Sequence, residues 1–132
     1  MKKKYFLCLA FMLLFVVSLT YTKTDIMAAQ NPELKAWNLK IGDSKTSSKI
    51  TTTIKGNSVT KKINATITLY CKTDGKFKKI KSWSNLSTDG YLLCTSKYYS
   101  FIKNKTYKII ISGVLSNNQK SVTFRKSKVI QK

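Results

Sequence analysis

The chain has 132 residues, 25 of them lysine or arginine and only 5 acidic, and it contains no histidine. Its length fits one domain. Without histidine it lacks the commonest general base, the commonest metal ligand and the usual partner of a serine or cysteine nucleophile. The composition therefore points away from acyl-transfer and metal-assisted chemistry.

Lys2, Lys3 and Lys4 precede an unbroken apolar and small-residue run over 5–19. A more polar stretch, 20–26, leads to Met27-Ala28-Ala29, small residues of the kind a signal peptidase needs. The apolar run is 15 residues long, shorter than the roughly 20 a membrane-spanning helix requires. Residues 1–29 are therefore expected to be a signal peptide cut after Ala28 or Ala29, and the product to be secreted. Loss of four lysines and one aspartate leaves 21 basic and 4 acidic residues, a net charge of +17. Such a charge attracts polyanions. The competing explanation is that the lysines solvate strand faces and guard sheet edges against aggregation.

Residues 30–35, with the sole proline at Pro32, are expected to be a flexible leader ahead of a basic domain at 36–132. Trp37, Leu39 and Ile41 alternate as in a first strand, with Trp37 half covered. Ile50, Thr52 and Ile54 alternate in a second. The clearest run is 62–72, where Ile63, Ala65, Ile67, Leu69 and Cys71 alternate with Asn64, Thr66, Thr68, Tyr70 and Lys72. One apolar and one polar face is the mark of a half-buried antiparallel strand. Asp74-Gly75 turns the chain, and Phe77, Ile80 and Trp83 are the large residues of the returning strand. Their spacing of three predicts a bulge near Lys78 or Lys79. A strand over 91–97 can face inward with either parity. Tyr107, Ile109 and Ile111 alternate in a strand over 106–115, where Gly113 suggests a second bulge. Val122, Phe124 and then Val129 or Ile130 complete the last strand. Gly42-Asp43, Gly56-Asn57, Asp89-Gly90 and Asn117-Asn118 supply the other turns. Seven strands with regular turns predict an all-β fold, an antiparallel β-sandwich, with a small barrel as the alternative.

Cys8 leaves with the signal peptide. Cys71 and Cys94 can form one disulfide, worth roughly 3 kcal/mol for a loop of this length, or remain as two buried thiols. The four acids of the product, Glu33, Asp43, Asp74 and Asp89, are scattered, and two of them precede turn glycines. No nucleophile elbow or glycine-rich phosphate loop is present. The expectation is a protein that is not an enzyme and carries no cofactor. Candidate polyanion-binding residues are Lys76, Lys78, Lys79 and Lys81 on one hairpin and Arg125, Lys126 and Lys128 near the C-terminus. Candidate aromatic contacts are Tyr70, on the polar face of its strand, and Tyr98, Tyr99 and Phe101, which stand between Lys97 and Lys103. The core explanation for the latter group is that alternate rings cap the apolar interior.

The segments Ile67-Thr68-Leu69-Tyr70, Gly75-Lys76-Phe77-Lys78-Lys79-Ile80-Lys81-Ser82-Trp83 and Lys103-Asn104-Lys105-Thr106-Tyr107-Lys108-Ile109 resemble small secreted Firmicute proteins of unknown function. Those carry "L-x-K … G-x-W-K-x-V-K-x-W" and a later "K-G-x-x-Y-x-V". Here Phe77 replaces the first tryptophan, Asn104 the glycine, and the two cysteines are additional. The resemblance spans about residues 50–129 and implies an immunoglobulin- or fibronectin-like sandwich and an extracellular location. It implies no activity. The functional expectation is a secreted or wall-associated binding module whose partner is an anionic cell-wall polymer or glycan, or an anionic membrane surface. The alternative is an antimicrobial effector whose aromatics enter anionic lipid.

Overall fold

The computed structural model describes residues 30–132; the expected signal peptide lies outside the described residues. Seven antiparallel strands follow one another: β1 (Leu34–Asp43), β2 (Ser48–Gly56), β3 (Lys62–Thr73), β4 (Lys76–Asp89), β5 (Leu92–Tyr99), β6 (Thr106–Ser116) and β7 (Ser121–Gln131). They form a three-stranded sheet ordered β1-β2-β5 and a four-stranded sheet ordered β4-β3-β6-β7. This is an immunoglobulin/fibronectin-like β-sandwich, in which each sheet buries the apolar face that its alternation creates.

The core follows the period-two pattern. Leu39, Ile50, Ile54, Ile63, Ala65, Ile67, Leu69, Leu93, Tyr107, Ile109, Ile111 and Leu115 are all buried. Trp37 and Ile41 are half-buried against them. On β5 the inward parity falls to Leu93 and Tyr99. On β7 it falls to Val122, Phe124 and Ile130, while Val129 is exposed.

Turn chemistry decides the connections. Asp74 and Gly75 both have positive φ (53° and 78°), and Thr73 pairs with Lys76 around them. Two left-handed residues between paired strands make the type I′ turn that matches strand twist. Between β6 and β7, the Asn117 side-chain oxygen accepts from the amides of Gln119 (2.9 Å) and Lys120 (2.8 Å), an Asx turn. Gly42-Asp43 is not a turn, because both residues stay paired in β1 and the chain reverses over 44–47 instead. There the Ser44 hydroxyl and amide both donate to the Ser47 carbonyl, closing the loop two residues later than expected.

Three other expectations are corrected. Residues 30–35 are not a loose leader. Pro32 is fully buried, and Asn57 donates to the carbonyls of Asn31 (side chain, 2.9 Å) and Glu33 (amide, 2.9 Å). The same Asn57 accepts from the Thr60 hydroxyl at 2.8 Å, so one turn residue ties the start of β1 to the β2–β3 loop. Gly113 makes no bulge, since the β3–β6 and β6–β7 registers both run through it unbroken. Besides a register shift at Lys35 in β1, two bulges lie in β4. One is at Ile80, where Leu69 pairs with Lys81 and Tyr70 with Lys79. The other is at Ser84-Asn85, with Asn85 at φ 58°. The bulge at Ile80 shifts parity along β4 and puts Phe77 on the face opposite to Trp83, so Phe77 and Ile80 do not join the core. They are 36% and 42% exposed, and only Trp83 and Leu86 pack against it.

Thr52 is fully buried between Ile50 and Ile54, and its hydroxyl has no partner among the described residues. An unpaired buried hydroxyl keeps its desolvation cost without return. Thr52→Val, of the same shape, is expected to raise stability by about 1 kcal/mol. Urea unfolding should show a higher midpoint at unchanged slope; a lower midpoint would contradict this account.

Candidate polyanion interface

In a ladder, residues directly opposite one another share a face, so register sorts the hairpin lysines. Lys78 pairs with Cys71 and Lys81 with Leu69, which gives both inward parity, as Lys76 has opposite Thr73. Lys79 pairs with Tyr70 and points the other way. The cluster that looks continuous in sequence is therefore divided between two faces of the sheet. All four lysines are exposed, because β4 is the outermost strand of the wider sheet.

The outer face of that sheet collects a different set. Tyr70 stands between Lys79 on β4 and Lys108 on β6, and Val129 follows on β7. Phe77 pairs with Lys72 in the next row. The ammonium groups of Lys72 and Lys108 lie 5.9 Å and 5.6 Å from the centre of the Phe77 ring, within cation–π range. Tyr70 is half-buried, while Lys72 and Lys79 are exposed. Lys72, Lys79 and Lys108 thus surround Tyr70 and Phe77 on the outer face of the four-stranded sheet. Lys72 and Lys108 were not among the sequence candidates. Lys72 continues the polar parity of 62–72, and Lys108 is the lysine between Tyr107 and Ile109, so the alternation carries both.

On β7, Arg125 lies on the outer face opposite Ser112, two rows from Lys108. Lys126 and Lys128 have inward parity, opposite Ile111 and Ile109. Lys128 is a strut, its ammonium donating to the Leu39 carbonyl at 3.2 Å and so joining the edges of the two sheets. Inward lysines on an edge strand hinder pairing with another chain.

The aromatic candidates separate in the same way. Tyr98 is 62% exposed on the outer face of the three-stranded sheet. Tyr99 and Phe101 do not form a contact surface: they meet each other edge-on at 5.2 Å and Tyr107 at 6.4 Å and 4.7 Å. Burial, with the neighbouring Tyr107 and Cys71, pushes the Tyr99 hydroxyl pKa up. Cys71 and Cys94 are both free. A bridge is not made because Cys71 faces the core from β3, whereas Cys94 is exposed on the far side of β5, next to buried Leu93 and opposite Thr53.

Acids offset little of this charge. Glu33 pairs with Lys35 at 2.8 Å and Asp43 with Lys132 at 2.5 Å. The Lys132 ammonium and the Ser48 hydroxyl hold Asp43 below the ordinary carboxylate range. Its folded-state pKa being lowered, the contact contributes above the unfolded value and is lost as pH falls through the folded one; the exposure of the Asp43 side chain keeps it small. Asp74 occupies the hairpin tip, and Asp89 lies opposite Lys62 at the other end of β4. Among the described residues no cluster of three His, Cys, Asp or Glu side chains could hold a metal.

Fold and surface together define an immunoglobulin/fibronectin-like domain with a lysine-rich, aromatic-bearing sheet face. Neither a protein-family model nor a curated relative matches the chain. Among solved structures, a protein from Archaeoglobus fulgidus is similar over 76% of this chain and 98% of its own, with 8% identity and a TM-score of 0.37.

Proposed function

We propose that this domain is a secreted, non-enzymatic binding module that engages anionic cell-surface polymers. The observation that carries the reading is the outer-face patch of Lys72, Lys79 and Lys108 around Tyr70 and Phe77. Three ammonium groups on one sheet face can follow spaced phosphates or carboxylates, and the rings between them offer apolar area to a sugar. Arg125 extends the positive surface along the same face. The alternative, an effector that enters anionic membranes, has less to stand on, since Tyr99 and Phe101 are engaged within the domain and, of that aromatic group, only Tyr98 is exposed.

Co-sedimentation with isolated cell walls across a salt series tests the proposal. Binding should weaken steeply as salt rises, because the contacts are screened charges. Replacing Lys72, Lys79 and Lys108 together by glutamine should cost about 1 kcal/mol per lysine, roughly 100-fold in affinity at low salt. The same change at Lys40, Lys49 and Lys55, on the outer face of the other sheet, removes equal charge and should cost far less. Equal losses from the two triple variants, or salt-insensitive binding, would refute the assignment.

A further inference from the structure

The two sheets differ in width, and the difference leaves one side of the sandwich open. Lys128 reaches Leu39 and Lys132 reaches Asp43, so β7 and β1 lie together on one side. On the other side, β4 has no strand of the three-stranded sheet to cover it. Its inward-parity residues Lys78 and Lys81 are consequently exposed, and Trp83 and Leu86 are only partly buried. The Lys81 ammonium lies 5.9 Å from the Trp83 ring centre.

The neighbouring strand, β5, has one partner and a free edge. The Gly56 amide donates to the Tyr91 carbonyl at 2.7 Å, and the β2–β5 register continues from that pair without a shift. Backbone groups alternate in direction along an antiparallel strand. Residues 93, 95, 97 and 99 therefore bond to β2, while Leu92, Cys94, Ser96 and Tyr98 turn their N–H and C=O groups to the open edge. Among the described residues no hydrogen bond covers that edge. A strand added there would occupy the missing fourth position of the narrower sheet, beneath the overhanging face of β4.

Charge specifies the occupant. Lys97 on β5 has inward parity, opposite Ile50, and it borders the same open side as Lys78 and Lys81. No acid occurs in β5, and the one acid of β4, Asp89, lies opposite Lys62 at the strand's end. A purely apolar strand would bury these ammonium groups unpaired. A second copy of this chain would bring its own β5 lysine and a like net charge. We infer that the β5 edge takes up an extended acidic peptide segment of a partner protein by β-strand addition. Its alternate carboxylates would meet Lys97, Lys81 and Lys78, and an apolar residue near one end would lie over Trp83 and Leu86. Backbone hydrogen bonds would supply the pairing and the side-chain pattern the selectivity.

The test uses a decapeptide with glutamate at three alternate positions, valine at the next, and threonine between. Its counterpart is the same peptide N-methylated at alternate residues, which keeps the charge and removes backbone donors. The first should bind the intact domain saturably and slow amide exchange at Cys94, Ser96 and Tyr98. N-methylation and Ser96→Pro should each weaken binding at least about ten-fold, the proline being tolerated because its nitrogen faces the open edge. A Lys81→Glu, Lys97→Glu double variant should instead prefer the lysine analogue of the peptide, which keeps the question decidable if the proline variant unfolds. Equal binding of the N-methylated peptide would show attraction by charge alone and overturn the inference. So would a concentration-dependent dimer that Ser96→Pro abolishes, since the edge would then serve a second copy. Wall polymers lack a peptide strand, so their binding through Lys72, Lys79 and Lys108 should not respond to Ser96→Pro. The two proposals can therefore fail separately.

Discussion

Gly113→Ala is expected to destabilise the domain by about 3 kcal/mol, a change of roughly 100-fold in the unfolding equilibrium. A Cβ at this position would collide with the Asn64 carbonyl oxygen, and it would lie 2.9 Å from the Ala65 Cα and 3.0 Å from the Phe124 ring. Two of those neighbours are backbone of the central strand β3, so no side-chain rotation relieves the contact. Gly113 pairs with Ala65 on one side and Phe124 on the other. The small pair leaves room for the Phe124 ring, an arrangement in which an aromatic covers a strand glycine. Trimming Phe124 to leucine in the same chain should therefore restore little. Gly42→Ala is the contrasting case, since nothing lies within 4 Å of its Cβ position. Urea unfolding of the two single variants checks the account, which fails if they are equally stable.

Tyr107→Ala should cost about 4 kcal/mol, whereas Tyr107→Phe should cost about 1 kcal/mol. Tyr107 is 1% exposed near the start of β6, and its hydroxyl accepts from the Ile102 amide at 2.9 Å. This is the tyrosine corner of immunoglobulin-like sandwiches, in which the crossing between sheets is fastened to the strand that follows it. The ring also completes the edge-on cluster with Tyr99 and Phe101. Alanine removes both contributions. Phenylalanine removes only the hydrogen bond, to an amide that can partly regain water. Thermal unfolding should separate the two variants clearly; similar midpoints would mean that the hydroxyl, not the ring, carries the contribution.

Both effects come from residues whose sequence signal was incomplete. Tyr107 is legible as an inward residue because Ile109 and Ile111 repeat its parity, but nothing in that repeat shows the hydroxyl meeting Ile102. Gly113 is legible as an exception inside a strand, and the expected bulge was the wrong explanation for it. A glycine allows both a kink and a close approach, and only the register distinguishes them. The β4 strand shows the converse. The spacing of Phe77, Ile80 and Trp83 does signal irregularity, and a bulge occurs one residue beyond the expected site. The spacing does not say which of the three side chains stays inside; the bulge at Ile80 puts Phe77 and Trp83 on opposite faces, and only pairing with Ile67 makes Trp83 the inward one.

The candidate interface was legible in kind and not in membership. Lysine excess and aromatic interleaving are properties of composition, readable without coordinates. Which lysines act together depends on neighbours from other strands. Tyr70 acquires Lys79 from β4 and Lys108 from β6, contacts made by register across three strands. Lys78 leaves the patch because adjacent residues in a strand face opposite ways, and Lys81 because the bulge at Ile80 reverses the parity after Lys79. Tyr99 and Phe101 leave it because Tyr107, in a later strand, offers them a buried partner.

Taken alone, the amino-acid order determined the strand count, most turns and the inward set of β1, β2, β3 and β6. These depend on forces between near neighbours: alternation that separates apolar from polar faces, and side chains that accept positive φ. Tertiary structure alone decided the division of seven strands into three and four, the state of the two cysteines and the open edge of β5. Each of these depends on which strands meet across a sheet or between sheets. Many pairings satisfy the same local preferences, and only burial of the combined apolar faces selects one of them.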